Sequence, residues 1–141
     1  MEVFNDARRI RSGSWSELWI NGTKVAECFR HQAKRTYTKE DIHLPGQLET
    51  DTKITSSKGT GSISLYNVSD DLSREITESR SAGKDPRFTI VDKEADPDSP
   101  NHRRTAYTGV SFDEAVIADW EAGKVSPREY PYTYVKEEYI A

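Results

Sequence analysis

Apolar and polar positions alternate over short spans along most of this chain, and one segment breaks into a helical period. The stretch 58–71 organises that pattern. Lys58-Gly59-Thr60-Gly61 reads as a glycine-punctuated lead-in, residues 62–68 as a strand, and Ser69-Asp70-Asp71 as the start of a helix. Ile63, Leu65 and Asn67 share one face of the strand; Ser62, Ser64, Tyr66 and Val68 share the other. Ser69 or Asp70 suits a cap that accepts free helix N–H groups. The spacing predicts a helix over 69–83, with Leu72 and Ile76 facing the core. Gly83 supplies its left-handed stop and Pro86 prevents resumption.

Upstream, residues 15–20 and 23–29 read as two strands joined at Asn21-Gly22, a pair that tolerates the positive φ values of a type I′ turn. A two-residue loop pairs Ile20 with Thr23 and Leu18 with Val25. Residues 30–57 are strand-like but hardly apolar: Phe29, His31, Ala33, Arg35 and Tyr37 alternate with Arg30, Gln32, Lys34 and Thr36. Leu44-Pro45-Gly46 marks a turn, and 49–57 alternates again. This predicts an extended hairpin or arm. Such an arm cannot offset its own ordering entropy, so it is expected to lie on another protein surface, with Thr38, Asp41, Leu44, Pro45 and Gly46 as its candidate contact residues. Downstream, strands are predicted over 87–93, 103–112 and 130–135, with a polar turn or loop over 94–104. Residues 112–122 are ambiguous. Phe112, Val116 and Trp120 fall at helical spacing and also on one face of a strand, and the pattern leans to helix. The count is about seven strands and one helix, mainly β.

Composition narrows this. In 141 residues, 34% are hydrophobic and 31% charged, so one thin core is available, while 3 Trp, 7 Tyr and 4 Phe supply large buried areas. The organisation expected is an arm over 1–13, carrying Arg8, Arg9 and Arg11, and one β domain over 14–141. That arm is either solvated or docked on a neighbouring subunit. The net charge of −4 argues against a protein that grips nucleic acid. No apolar run approaches the ~20 residues a membrane-spanning helix needs, and Met1 to Asp6 lacks a signal peptide's apolar core. Lone Cys28 leaves no internal disulfide and fits a reducing cytosol.

Catalytic chemistry is not visible. His31, His43 and His102 have no metal-ligand spacing. Gly59-Thr60-Gly61 is followed by no Gly-Lys-Ser/Thr, so it reads as a place of close backbone approach, not a phosphate loop. Nothing assembles a nucleophile, a base and an oxyanion hole. No cofactor, metal or enzymatic activity is expected. A small β-barrel binding a ligand or carbohydrate is the alternative; the polar arm disfavours it, because a pocket wants apolar lining.

Several pieces occur together in one order: Leu18-Trp19-Ile20-Asn21-Gly22, Lys58-Gly59-Thr60-Gly61, the strand running into the helix, Gly83-Lys84-Asp85-Pro86-Arg87-Phe88-Thr89, Tyr107-Thr108-Gly109-Val110-Ser111-Phe112-Asp113, and Tyr130-Pro131-Tyr132-Thr133-Tyr134. Over residues 14–140 this resembles the PBSX/XkdM-type tail tube proteins of contractile phage tails. The resemblance implies two packed antiparallel sheets, a sandwich or small barrel, with one flanking helix. It implies six-subunit rings stacked inside a contractile sheath, with tape measure and baseplate proteins as further partners. The implied location is the virion tail, assembled in the bacterial host cytoplasm. By similarity residues 112–120 become a strand, and the hairpin at 30–57 reaches an adjacent subunit or ring. A channel that passes DNA should not hold phosphate strongly, and six copies at −4 each carry −24 per ring. Acidic and hydroxyl side chains are therefore expected to face the lumen, with Glu27, Glu49, Asp51, Thr55 and Ser57 as candidates.

Overall fold

Asn21 and Gly22 take φ values of 50° and 82°, as a type I′ turn requires. The turn sets β1 (Ser16–Ile20) against β2 (Thr23–Lys24), pairing Ile20 with Thr23, and the Val25 amide donates to the Leu18 carbonyl. The Thr89 amide donates to Asn21 Oδ1, which fixes the turn on the neighbouring strand β5 (Phe88–Glu94). The second strand ends sooner than its alternation suggests. After Lys24 the chain turns through Ala26-Glu27 and crosses to a different sheet, where β3 (Cys28–His43) begins.

The computed structural model describes residues 5–140. With β4 (Thr50–Leu65), β6 (Arg103–Phe112), β7 (Arg128–Tyr134) and β8 (Lys136–Ile140), its strands follow one antiparallel path, β2-β1-β5-β6-β7-β4-β3, with β8 on the free side of β6. That path folds into two layers at β6. Up to Val110, β6 pairs with β5 and β8; at Ser111 and Phe112 it pairs with β7 (Arg128–Tyr134). Strands that switch sheets need a local bend. Gly109 supplies it, at φ 66°, and a Cβ there would lie 2.6 Å from Val135 Cγ2. Val135 marks the same crossing in the other strand. It separates β7 from β8, and its amide donates to the Thr108 carbonyl at 3.0 Å. β8 follows at once, an eighth strand among the described residues where the pattern predicts about seven.

Between the layers lies one core: Leu18, Ile20, Ile63, Leu65, Phe88, Ile90, Tyr107, Val110, Phe112, Tyr130, Tyr132 and Tyr134. It is unusually aromatic, and the rings meet edge-on, as between Phe112 and Tyr132 or Tyr107 and Tyr134. β4 (Thr50–Leu65) is a single 16-residue strand. The glycines at 59 and 61 therefore lie inside it, not ahead of it. They give tyrosine rings room: a Cβ on Gly61 would lie 2.5 Å from the Gln32 carbonyl oxygen, and one on Gly59 would lie 2.6 Å from the Tyr134 ring.

Helix α1 (Asp71–Ser81) flanks the core through buried Ile76 and half-buried Leu72. It closes with the Lys84 amide on the Ser79 carbonyl and the Gly83 amide on that of Arg80, a Schellman arrangement. Asp70 is the N-cap residue, but its carboxylate accepts from Arg128 Nη1 instead of a helix N–H. Truncating Ile76 to Ala is expected to cost about 2–5 kcal/mol, and Leu72→Ala less because it is already part-exposed. Urea titration of both variants checks this; midpoints equal to wild type would mean the helix is not packed on the sheet.

Residues 113–122 form neither the helix that the spacing favours nor the strand that the resemblance implies. Phe112 is 4% exposed and Trp120 80% exposed, so the helical series does not share one side. Instead Ala115 and Val116 pack on the core. Tyr130 Oη donates to Ser73 Oγ, which in turn donates to the Val116 carbonyl at 2.7 Å and ties the segment to α1.

Candidate functional site

β4 pairs with β7 only from Gly59 to Leu65, whereas β3 and β4 stay paired out to His43 and Thr50. The hairpin therefore leaves the body as a two-stranded ribbon with no third strand. Every residue from Thr36 to Lys58 is exposed, including Tyr37, Ile42, Leu44, Ile54 and, at 98%, Leu48. Isolated two-stranded ribbons are marginal in water, and beyond Gly59 this one has only its own ladder to hold it.

The candidate arm residues lie on it. Thr38 pairs with Ser56 and Asp41 with Thr52; the Leu44 carbonyl accepts from the Gln47 amide across a turn in which Gly46 has φ 80°. The candidate lumen residues are scattered instead. Glu27 is in the turn before β3, its carbonyl accepting from the Tyr66 amide, and Glu49 is in the loop at the tip. Thr38 pairs with Ser56 and Lys39 with Ile54, so Thr55 is the extra residue of a bulge, its hydroxyl donating to the Thr38 carbonyl. Ser57 opposes Tyr37 and Asp51 opposes Ile42. Since Tyr37 and Ile42 are an odd number of residues apart on a regular strand, Ser57 and Asp51 face opposite sides.

At the ribbon's root a polar cluster joins the two layers, which the sequence pattern does not reveal. His31 Nδ1 lies 3.1 Å from Asp92 Oδ2 and His31 Nε2 lies 2.6 Å from Tyr132 Oη. Arg103 Nη2 donates to Asp92 Oδ2 at 2.7 Å and to Glu94 Oε1 at 2.9 Å. Burial pushes the Asp92 carboxyl up, but the bonds and charges of His31 and Arg103 outweigh it and hold it below the usual carboxylate range. Burial also pushes the Tyr132 phenol well up. The cleft beside this cluster, about 640 Å³, carries Asp92, Glu94, Glu17 and Arg30 among its walls, unlike an apolar ligand pocket. Farther along β3, Arg35 donates to both oxygens of Glu137 and to the Val135 carbonyl, so the ribbon is anchored to β8. Among the described residues, no group of three or more His, Cys, Asp or Glu side chains could hold a metal ion, and no helix is long and apolar enough to cross a membrane.

The N-terminal segment is held by the end of this chain's own β5 and the loop that follows it. The Ser12 amide donates to Asp96 Oδ2, Ser99 Oγ donates to the Arg9 carbonyl, and Arg11 pairs with Glu94.

Comparison with known proteins places this architecture. A family model described as phage tail tube protein matches residues 3–140. The chain is 28% identical over 131 residues to the phage-like element PBSX protein XkdM of Bacillus subtilis (strain 168), covering 91% of this chain and 88% of that protein. A chain in the extended sheath–tube complex of an extracellular contractile injection system (PVC) superimposes with a TM-score of 0.70 at 7% identity, over 89% of this chain and 88% of that one. One in the 6-fold symmetrised baseplate of the anti-feeding prophage does so with 0.68 at 10% identity, over 89% and 90%. At these identities the two structural likenesses speak for the fold. The chain belongs to the phage tail tube protein family, and its role is structural.

Proposed function

We propose that this member of the tail tube family forms rings of six copies, and that the rings stack into the inner tube of a contractile tail or tail-like particle. The tube would lie inside a sheath, hold a tape measure protein during assembly and end on a baseplate. It would conduct DNA where the particle carries a genome. Assembly would take place in the host cytoplasm and the product would be part of the virion tail. The observation that carries this reading is the projecting ribbon, whose exposed strands and apolar tip gain partners only from other subunits. Support for six comes from the 6-fold symmetry of the anti-feeding prophage baseplate, and support for a sheath from the sheath–tube complex. Acidic and hydroxyl groups would line the channel. Of the candidates Glu27, Glu49, Asp51, Thr55 and Ser57, the opposed Asp51 and Ser57 cannot both point inward from one ribbon face.

Electron microscopy of the purified protein over a concentration series tests the proposal. Rings or tubes are expected, with a channel not dominated by Lys and Arg. Monodisperse monomers at the highest concentration would overturn it.

A further inference from the structure

Asn21 carries chemistry that assembly does not use. Of the asparagines in this chain, it alone is followed by glycine. Glycine has no Cβ, so the nitrogen of Gly22 is unshielded toward the amide carbon of the preceding side chain. Attack of that nitrogen on Asn21 Cγ forms a C–N bond and closes a cyclic imide. The side-chain nitrogen leaves as ammonia, taking the proton of the Gly22 amide. Water then adds and breaks either C–N bond of the imide. Breaking one gives aspartate. Breaking the other gives isoaspartate, whose main chain runs through the former side chain. Asn21, Gly22 and Thr89 are all exposed, so water reaches the turn.

The fold sets itself against the first step. β1 lies between β2 and β5. From Asn21, at φ 50°, the main chain turns toward β2 through Gly22, at φ 82°. The Asn21 side chain goes the other way. Its Oδ1 accepts from the Thr89 amide of β5 at 2.9 Å, and the Asn21 amide donates to the Thr89 carbonyl at 2.9 Å. This reciprocal pair holds Cγ on the β5 side, away from the nitrogen that attacks it.

We propose that Asn21-Gly22 is a site of spontaneous deamidation, that the pair of bonds to Thr89 keeps it shut in the folded chain, and that the reaction runs only through opening of the β1–β5 pairing at this turn. Local opening of this kind is cheaper than global unfolding. The two products differ in consequence. Aspartate keeps an oxygen for the Thr89 amide and adds one negative charge to a chain at −4. Isoaspartate also lengthens the main chain inside a two-residue loop, and the pairing of Ile20 with Thr23 loses its register.

The test uses the full chain and peptide mapping by mass spectrometry, which separates asparagine, aspartate and isoaspartate at residue 21. Native protein and protein unfolded in urea are incubated at the same mildly alkaline pH and temperature. Conversion is expected to be slower in the native protein by on the order of tenfold or more, since both bonds to Thr89 open first. In urea too dilute to unfold the chain, the rate is expected to rise in step with hydrogen exchange of the Thr89 amide. Native conversion as fast as in the unfolded chain would overturn the lock, as would a native rate that does not follow Thr89 exchange. An unfolded chain that keeps Asn21 intact would overturn the site itself.

Discussion

Replacing residues 38–56 by Asn-Gly is expected to abolish tube formation and leave a folded monomer. The cut joins Tyr37 and Ser57, which already oppose one another, through the two-residue loop that best matches strand twist. Every residue removed is exposed, and the core cluster draws on none of them. Ordering each residue costs about 1–2 kcal/mol, while the ribbon returns only its ladder hydrogen bonds and a few partly covered side chains. Thermal unfolding is therefore expected within a few degrees of wild type. Assembly is different, because the tip residues Leu44 and Leu48 are at their most exposed in the free chain and gain burial only from another subunit. Sedimentation and microscopy check the two halves separately. Normal tubes from the shortened chain would remove the ribbon from the assembly contacts.

Much of this architecture is legible in local pattern. The Asn21-Gly22 turn fixes its own register, because two left-handed residues allow few other loops. Ile63 and Leu65 are buried as their alternation implies, and Ile76 lies on the packed side of a helix ended by Gly83. Strand β6 begins at Arg103 and ends at Phe112, as the pattern predicts. What stays hidden depends on contacts between distant residues. The bulge at Thr55 leaves no compositional mark, yet it helps determine which residues share a face, so the candidate lumen set divides. Gly59 and Gly61 read as punctuation until Tyr134 and Tyr132 are seen packed over them. Residues 113–122 have helical and strand periods superposed, and the Ser73 bond to Val116 settles them into neither. His31 sits on the inward face of its strand, but its partners are 61 and 101 residues away, and no spacing rule reaches that far.

That histidine's partner carries the largest expected effect on stability. The Asp92 side chain is 8% exposed and is the acceptor shared by His31 from the ribbon strand and Arg103 from β6. Removing one member of a buried ionic set leaves the others desolvated and incompletely paired, typically at a cost of 3–5 kcal/mol. Asp92→Ala is expected near about 3 kcal/mol, the lower end of that range, because Arg103 keeps Glu94 and Thr105. In a chain of this length that corresponds to a melting point lower by roughly 10 °C. Asp92→Asn preserves the shape and separates charge from packing. The pH dependence follows from the direction of the shift. The folded-state pKa of Asp92 is depressed, so its ionised form contributes stability that is fully present above the unfolded carboxylate value, about 4. That contribution is lost as pH falls through the lower folded value. The difference between wild type and Asp92→Ala is therefore expected to shrink as pH falls below about 4. Melting curves from neutral pH to below that value decide it. A difference that grows below about pH 4, or an Asp92→Ala variant as stable as wild type at pH 7, would show that the ionised Asp92 cluster does not hold the two layers together.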